Sequence, residues 1–150
     1  MTSKTTIPFE NFELSQTPGH LLRRCHQRSH EIFHHHAGQF DLTRQQFAML
    51  LAVFRHPGAS VQDLADLTAV DRNTLVGIVQ RLVAKGLVKK QRSSRDARAY
   101  ELEIQASGID LLKRMEKSIN EVQDKILEPL SDEEREIFIL CAQKLSGIGF

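Results

Sequence analysis

Long hydrophobic runs and cysteine are both scarce in this sequence. The longest apolar run, residues 47–54, is too short to span a bilayer, and the first twelve residues lack an apolar stretch of signal-peptide length. The two cysteines, Cys25 and Cys141, lie far apart in apolar patterns, which predicts buried thiols rather than a disulfide framework. We therefore expect a cytoplasmic protein with no membrane partner.

Motifs of catalysis and cofactor binding are also missing. There is no glycine-rich phosphate loop, and no nucleophile can be paired with a base. Hydrophobic residues make up 41% and charged residues 26% of the 150 residues, which is ordinary for a globular chain that can bury a core. The sequence thus predicts a binding protein rather than an enzyme, with no bound cofactor or metal.

Charge is unevenly distributed along a chain whose formal net charge is only +1. Residues 71–98 contain eight Lys or Arg against two Asp, a balance of +6. Residues 1–70 balance to zero, and residues 99–150 contain six basic against eleven acidic residues, a balance of −5. This short basic block indicates an anionic partner, although a solvated basic surface would have the same composition.

Apolar residues at helical spacing account for most of the chain. They predict six helices, at about 19–38, from Thr43 to Pro57, from Ser60 to Leu67, from Asp71 to Gly86, at about 106–128 and at 131–147. Capping-box pairs predict two of the helix starts, namely Thr43 with Gln46 and Ser131 with Glu134. Two strands, at 87–91 and 99–104, flank the polar loop 92–98 and predict a β-hairpin.

The basic block coincides with the fourth predicted helix and the hairpin. Two short helices joined by a tight turn, with strands directly after the second, are typical of a helix-turn-helix with a β-hairpin wing. The apolar stripe of the fourth helix faces inward and leaves outward the residue types that contact bases and phosphates. The candidate DNA-binding residues of the two helices and the hairpin loop are Ser60, Gln62, Arg72, Asn73, Thr74, Gly77, Arg81, Arg95, Asp96 and Arg98.

Gly77 and Asp96 are unusual residue types for a DNA-binding surface, so each needs a physical explanation. Gly77 is a poor helix former, so it favours a close approach of DNA to the backbone, although a neutral surface position would look the same. Asp96 would repel phosphate, and we expect it to orient Arg95 or Arg98 through a charge-assisted hydrogen bond. An arginine at the tip of a two-stranded ribbon is able to enter a narrow minor groove.

The combined pattern resembles the MarR family of winged helix-turn-helix regulators over nearly the whole chain. The resemblance is carried by residues 40–60, by the run over 60–90 and by the segment RSSRDARAYELEIQASG at 92–108. In the last segment, Asp96 and Arg98 match the Asp-x-Arg of the family's wing, and an alternating apolar strand follows them.

This resemblance implies a mainly α-helical fold with a small β-hairpin wing. Residues 41–105 would form the winged helix-turn-helix DNA-binding domain, and residues 1–40 and 106–150 a helical dimerisation region. The long apolar stripes of the terminal segments, which little else in one chain would cover, support a homodimer independently. A homodimer would place two recognition helices in successive major grooves of a pseudo-palindromic double-stranded DNA operator, most simply as a repressor.

The resemblance also implies a small-molecule effector. Members of the family usually bind one between the dimer helices and the DNA-binding lobe, often an aromatic (phenolic) acid or its CoA thioester. Such a ligand would release the repressor by shifting the spacing of the two recognition helices. The candidate ligand-binding residues offer a mixed apolar and polar lining: Arg24, His26, His36, Phe47, Leu51 and Phe54.

A metal-responsive regulator on the same scaffold is one alternative. The segment HEIFHHHAGQF, at 30–40, is rich in histidine, and His26, His30 and His34 recur at the i, i+4 spacing that is able to hold Zn²⁺. No Cys or Glu-x-x-His motif accompanies them. A solvated or dimer-facing helix surface explains His34 and His35 more simply.

A redox-responsive regulator is the other alternative. Cys25 lies near the start of the first helix, where peroxide-sensing relatives carry a reactive thiol. Such relatives use tyrosines to activate the thiol, whereas the single tyrosine of this chain, Tyr100, falls in the wing strand. Burial on the apolar face would also raise the pKa of the Cys25 thiol and make it inert.

Overall fold

The structure, a computed structural model, describes residues 8–148. Its helices and strands are α1 (Pro18–Ala37), α2 (Arg44–Arg55), α3 (Val61–Thr68), α4 (Arg72–Ala84), β1 (Val88–Arg92), β2 (Tyr100–Ile104), α5 (Ala106–Leu127) and α6 (Asp132–Ser146). Single 3₁₀ turns, Leu14–Gln16 and Gly38–Phe40, precede α1 and α2. The prediction of a mainly helical chain with one β-hairpin is confirmed.

Capping side chains fix the starts of α2, α3, α4 and α6. At α2, the Gln46 amide donates to Thr43 Oγ1 over 3.2 Å, and the Thr43 amide donates to Gln46 Oε1 over 3.1 Å. Ser131 and Glu134 form the same reciprocal pair at α6, which confirms both predicted capping boxes. These caps satisfy amide groups that have no partner in the first turn of a helix.

The turn between α3 and α4 is tight. Ala69 takes a left-handed conformation with φ of 53°, and the amide of Val70 donates to the Ala65 carbonyl over 3.0 Å. Val70 is buried, so the turn is anchored in the core. Helix α4 follows this turn directly and keeps one face exposed to solvent.

The core lies where α2, α3, α4 and the wing meet, and it continues between α1 and α5. As predicted, α4 buries its apolar stripe, namely Leu75, Ile78, Val79 and Leu82. Gly108, in the first turn of α5, packs so closely that a Cβ placed there would lie 2.5 Å from the Leu87 carbonyl oxygen. The hairpin, α2 and α5 are thus held together at a point with no room for a side chain.

Helix α1 packs along α5, with polar contacts at both ends of the pairing. The Arg28 guanidinium donates to the carbonyls of Ile126 and Lys125 over 2.8 and 3.0 Å, which satisfies the last turn of α5. At the other end, His36 Nδ1 lies 3.7 Å from Glu121 Oε2. The expectation that the apolar stripe of α5 lacks a cover within one chain is therefore wrong, because α1 covers much of it.

Helix α6 has no buried residue, so for this helix the expectation of an uncovered stripe is correct. Its exposed apolar side chains include Ile137, Leu140 and Leu145, and Ile148 just beyond its end is exposed too. Leu21 and Leu22 on α1 are exposed as well. Residues 1–7 and 149–150, which belong to the predicted dimerisation region, lie outside the described range.

The prediction of buried thiols is wrong for a single chain, because both Cys25 and Cys141 are exposed. Arg28 contacts the last turn of α5, so the turns of α1 that precede it, including Cys25, have passed the end of their neighbour. Cys141 lies on the uncovered helix α6. Among residues 8–148, no helix is both long and apolar enough to cross a bilayer.

Candidate nucleic-acid interface and ligand cavity

The outward face of α4 carries most of the predicted DNA-binding residues. Because Leu75, Ile78, Val79 and Leu82 are buried, the opposite side of the helix faces solvent. Arg72, Asn73 and Arg81 are exposed there, and Thr74 and Gly77 are partly exposed. The helix therefore presents cationic and amide side chains without needing any of them for its own core.

Asp71 holds the N-terminus of this helix. Its Oδ1 accepts from the amides of Asn73 and Thr74, each over 3.0 Å, and its Oδ2 accepts from the Thr74 hydroxyl over 2.6 Å. The hydroxyl hydrogen bond, followed by the Thr74 amide, lowers the pKa of the Asp71 carboxyl below its usual value. The Thr74 hydroxyl is thus engaged in capping.

Ser60 and Gln62, predicted on the shorter helix, also have partners within the chain. The Ser60 hydroxyl accepts from the Asp63 amide over 3.1 Å and the Ser60 amide donates to Asp63 Oδ2 over 3.3 Å, which makes a capping box for α3. The Ser60 hydroxyl also donates to Asp63 Oδ2 over 2.7 Å. Gln62 Nε2 donates to Asp66 Oδ1 over 3.0 Å. Both residues lie at the start of α3, where the unsatisfied amides of a helix attract an anion.

The wing is an antiparallel hairpin in which Val88 pairs with Ile104 and Arg92 with Tyr100. Its tip is ordered by local hydrogen bonds. Ser93 Oγ accepts from the Arg95 amide over 3.1 Å, and Arg92 Nη1 donates to the Ala97 carbonyl over 2.7 Å. These contacts fix the path of the loop.

Asp96 contacts Arg98 through the backbone rather than through the guanidinium. Its Oδ1 accepts from the backbone amide of Arg98 over 2.9 Å, and it forms no ion pair with either neighbouring guanidinium. The expected charge-assisted hydrogen bond from Asp96 to an arginine is therefore present at Arg98, where it is made to the backbone amide. Asp96 shapes the backbone of the loop, because a short side chain reaches the amide two residues on. The side chains of Arg95 and Arg98 remain exposed, without an acidic partner in the described chain.

An apolar cavity of about 320 Å³ lies between α2 and α5. Phe47, Leu51 and Phe54, all predicted ligand residues, line one wall. The facing wall of α5 contributes apolar and polar side chains, namely Ile109, Leu112, Lys113, Glu116, Ile119 and Asn120. A mostly apolar lining with few polar groups, at this volume, suits a small organic ligand.

The other three predicted ligand residues do not line this cavity. His26 contacts Arg44, with Nη2 of the arginine 3.0 Å from Nδ1 of the histidine. His36 faces Glu121, and Arg24 is exposed on α1. The predicted set is therefore divided, because α1 turns these side chains away from the gap between α2 and α5.

A second, wider cavity of about 530 Å³ opens between α1, the start of α2 and the end of α4. His30, His34, Arg44 and Arg81 are among its lining residues. At its edge Lys85, the C-cap of α4, donates to Asp41, and this hydrogen bond lowers the pKa of the Asp41 carboxyl. The contact ties the end of α4 to the junction of α1 and α2.

Comparison with known proteins settles the family. The family model described as "MarR family" matches residues 40–99. The HTH-type transcriptional repressor NicR of Pseudomonas putida is 33% identical, over 97% of this chain and 95% of NicR. This chain belongs to the MarR family. It is a DNA-binding transcription regulator rather than an enzyme.

Solved MarR-type structures share the fold over most of their length. BpsR of Bordetella bronchiseptica, whose DNA binding is regulated by 6-hydroxynicotinic acid, is 28% identical with a TM-score of 0.85, over 90% of this chain and 96% of BpsR. The repressor CouR bound to a 23-mer DNA duplex is 27% identical with a TM-score of 0.82, over 90% of this chain and 96% of CouR. The same repressor bound to p-coumaroyl-CoA gives 26% identity and a TM-score of 0.81, over 92% and 97%.

Sequence reasoning missed several residues of this MarR-type chain. Lys113, Glu116 and Asn120 supply the polar part of the α2–α5 cavity, but on a long amphipathic helix nothing in the pattern separates them from solvated residues. Arg28 and Arg44 were missed because their partners lie far away in sequence. Only the fold brings such pairs together.

The histidine-rich segment does not assemble a metal centre within one chain. Across residues 8–148, no three His, Cys, Asp or Glu side chains come close enough together to hold a metal ion. His30 and His34 line the wider cavity, whereas His35 is exposed and stacks edge-on against His36 with ring centroids 4.9 Å apart. The segment is mainly a polar flank of α1.

Proposed function

We propose that this regulator is a cytoplasmic repressor that binds pseudo-palindromic double-stranded DNA as a homodimer and is released by a small aromatic acid or its CoA thioester. One observation supports this most strongly. The exposed face of α4 and the exposed Arg95 and Arg98 of the wing together form a cationic surface that needs no partner within the chain. A surface of this kind suits a duplex, whose phosphates it would neutralise.

Each part of this surface has its own proposed role. Arg72 and Asn73, at the exposed start of α4, would contact base edges in the major groove, and Gly77 would allow the backbone close to them. Arg81 would contact a phosphate. Ser60 and Gln62 at the start of α3, with Thr74, would position the backbone of the duplex.

The wing would follow the adjacent minor groove. Arg98 and Arg95 would enter it or grip its phosphates, and Asp96 would keep the loop in the conformation that directs them. In that role Asp96 acts through the Arg98 amide and does not contact DNA itself.

The homodimer would bury the uncovered surface of the terminal helices. Helix α6 exposes a row of apolar side chains, and a second copy is the partner that would cover the same row on both chains at once. The acidic balance of residues 99–150 would keep that end of the dimer away from DNA.

The α2–α5 cavity is the proposed effector site. Phe47, Leu51 and Phe54 would contact an aromatic ring, and Lys113 would pair with its carboxylate. Arg24 and His26 would reach a ligand only from the second copy, because neither lines the cavity of its own chain. His36, which faces Glu121, has no place in that cavity.

Thermal melting of the purified protein tests the effector. The panel contains benzoate, hydroxybenzoates, hydroxycinnamates, their CoA esters, 6-hydroxynicotinic acid, Zn²⁺ and an organic hydroperoxide. We expect an aromatic acid or its thioester to raise the melting temperature, because a ligand of the native state stabilises it by mass action. The same compound should release the protein from DNA. A response to Zn²⁺ or hydroperoxide alone would overturn the aromatic effector.

A variant pair locates the site. Leu51→Ala enlarges the cavity and should weaken the shift caused by the aromatic compound. Leu67→Ala is the matched control, because Leu67 is an exposed leucine on α3 that does not line the cavity. Equal responses of the two variants would place the ligand elsewhere.

A further inference from the structure

Two adjacent residues on the outward face of α4 are poor choices for a helix. Val76 is β-branched and 58% exposed, and Gly77 follows it in the middle of the helix. Both residue types lower helix propensity, because valine loses side-chain freedom and glycine leaves the backbone too free in the unfolded chain. At an exposed helix position, alanine would be more stable than either.

Neither residue is buried by the rest of the described chain. A Cβ placed on Gly77 would have no neighbour within 4 Å, so the glycine makes no room for another part of the described protein. Val76 is not part of the core, but it borders the buried stripe of α4 at a shallow groove that Leu75 and Val79 also line. Both positions are therefore open to a partner outside the chain.

The position of Val76 and Gly77 on α4 indicates which kind of partner they would contact. Val76 follows Arg72 by four residues and Asn73 by three, which places it beside both of them on the helix surface. A recognition helix enters the major groove with its N-terminal turns, and these residues form the first and second turns of α4.

We propose that Val76 reads a thymine by packing against its 5-methyl group in the major groove, while Gly77 lets the helix backbone approach the same base step. This inference rests on the proposed DNA binding. The thymine methyl is the one apolar group that the bases present in the major groove, so an apolar side chain there selects thymine. Arg72 and Asn73 would read the neighbouring bases with hydrogen bonds.

Val83 provides a matched control on the same helix. It is a valine, 40% exposed, seven residues later, and therefore two turns further from the N-terminus on nearly the same side. Both valines border the shallow groove between α4 and β1, which Val61 and Lys90 also line. If the whole groove acted as one apolar surface, both valines would contribute to it. Contact with thymine involves Val76 alone.

The experiment starts with a duplex that the wild-type chain selects from a random library. Each thymine is then replaced by deoxyuridine, which removes only the methyl group. We expect one thymine in each half-site at which the replacement weakens wild-type binding about fourfold, the loss that follows from uncovering one methyl-sized apolar group. Val76→Ala should bind thymine and deoxyuridine duplexes equally, and Val83→Ala should discriminate like the wild type.

Gly77→Ala gives a second readout with opposite signs. The new methyl group has space in the free protein, so we expect the melting temperature to rise by about 2–4 °C. The same methyl group would obstruct the approach to the base step, so affinity for the selected duplex should fall about tenfold or more. A protein that becomes more stable and binds DNA equally well would contradict the close approach.

The remaining outcomes separate a failure of this inference from a failure of the proposed DNA binding. If the wild type selects a duplex and no thymine responds to loss of its methyl group, the inference is overturned while the proposed DNA binding stands. It is overturned too if Val76→Ala keeps the full discrimination or if Val83→Ala loses it. Failure of the wild type to select any duplex contradicts the proposed function and this inference with it.

Discussion

Arg98 is exposed at the wing tip, and its own amide is held by Asp96. We predict that Arg98→Ala weakens DNA binding and reduces its dependence on salt, because each lost phosphate contact lowers the slope of log K against log salt by about 0.9, or by roughly two units for two wings. Fluorescence anisotropy at several salt concentrations measures both effects. Arg114→Ala is the control, since Arg114 is an exposed arginine on α5 paired with Asp110. An unchanged slope in Arg98→Ala would remove the wing from the interface.

Gly108 differs from Gly77, because a side chain has no space at Gly108 and has space at Gly77. A Cβ at Gly108 would lie 2.5 Å from the Leu87 carbonyl and 3.0 Å from Ile104 Cγ1, so the hairpin and α5 would have to move apart. We predict that Gly108→Ala lowers the free energy of unfolding by about 1–3 kcal/mol, as overpacking does. Urea denaturation at fixed protein concentration measures it, and Gly77→Ala is the control that should not lose stability. Equal stability of Gly108→Ala and the wild type would contradict the close packing.

Single residues were predicted from the sequence when their role depended on near neighbours. Thr43 and Ser131 were correctly placed as caps, since a cap needs only amides two or three residues away. The exposure of Cys25 was not predicted, because it depends on where α5 ends beside α1. Asp96 holds Arg98 by its backbone amide, and sequence alone does not distinguish that amide from the guanidinium of the same residue.

At the scale of elements, the cap of α4 makes the recognition helix sensitive to acid. The pKa of Asp71 is lowered in the folded chain, so its stabilising contribution is complete above the unfolded value of about 3.9 and is lost as the pH falls through the folded value. We predict that Asp71→Ala melts a few degrees below the wild type from pH 5 to 8, and that this gap closes below about pH 4. Thermal melts across pH measure it. Asp71→Asn, which keeps an N-cap, should show little loss at pH 7, and a gap independent of pH would contradict the account.

Helices were predicted well where an apolar periodicity coincides with residues that start or end a helix. Each helix of the described chain was expected at nearly its observed bounds, because each combines an apolar stripe with a cap, a glycine or a proline. The ligand site was predicted only in part. Phe47, Leu51 and Phe54 belong to one short stripe and stay together, whereas the facing wall comes from α5, more than 50 residues later in the chain. Which face of α5 meets α2 is a tertiary fact that local spacing does not contain.

For the whole molecule, α6 determines the oligomeric state in this account. We predict that Leu145→Asp, alone or with Ile137→Asp, converts the dimer to a monomer, because these side chains are 75% and 61% exposed and would become buried between two chains. Light scattering after size-exclusion chromatography measures the mass. Leu67→Asp is the control, an exposed leucine of α3 that should leave the dimer intact. A dimer that survives both charges on α6 would place the interface elsewhere.

The secondary structure of one chain was predictable from its sequence, but which of its apolar surfaces are covered was not. The basic block over residues 71–98 predicted the DNA-binding side, because the charge of a residue can be read from the sequence without knowing its neighbours in space. The apolar stripes of α5 and α6 looked alike in the sequence. One is covered by α1 and the other is open, a difference that arises only when α1 packs back across the chain.

Selection of binding sites from a random duplex library, with the stoichiometry of the selected complex, tests the central claim most directly. The account predicts an enriched inverted repeat whose half-sites lie about ten base pairs apart, bound by two chains. Asn73→Ala should relax the sequence preference more than it lowers non-specific affinity. A library that yields no enriched sequence, or a single asymmetric site bound by one chain, would contradict a dimeric repressor that reads DNA through α4.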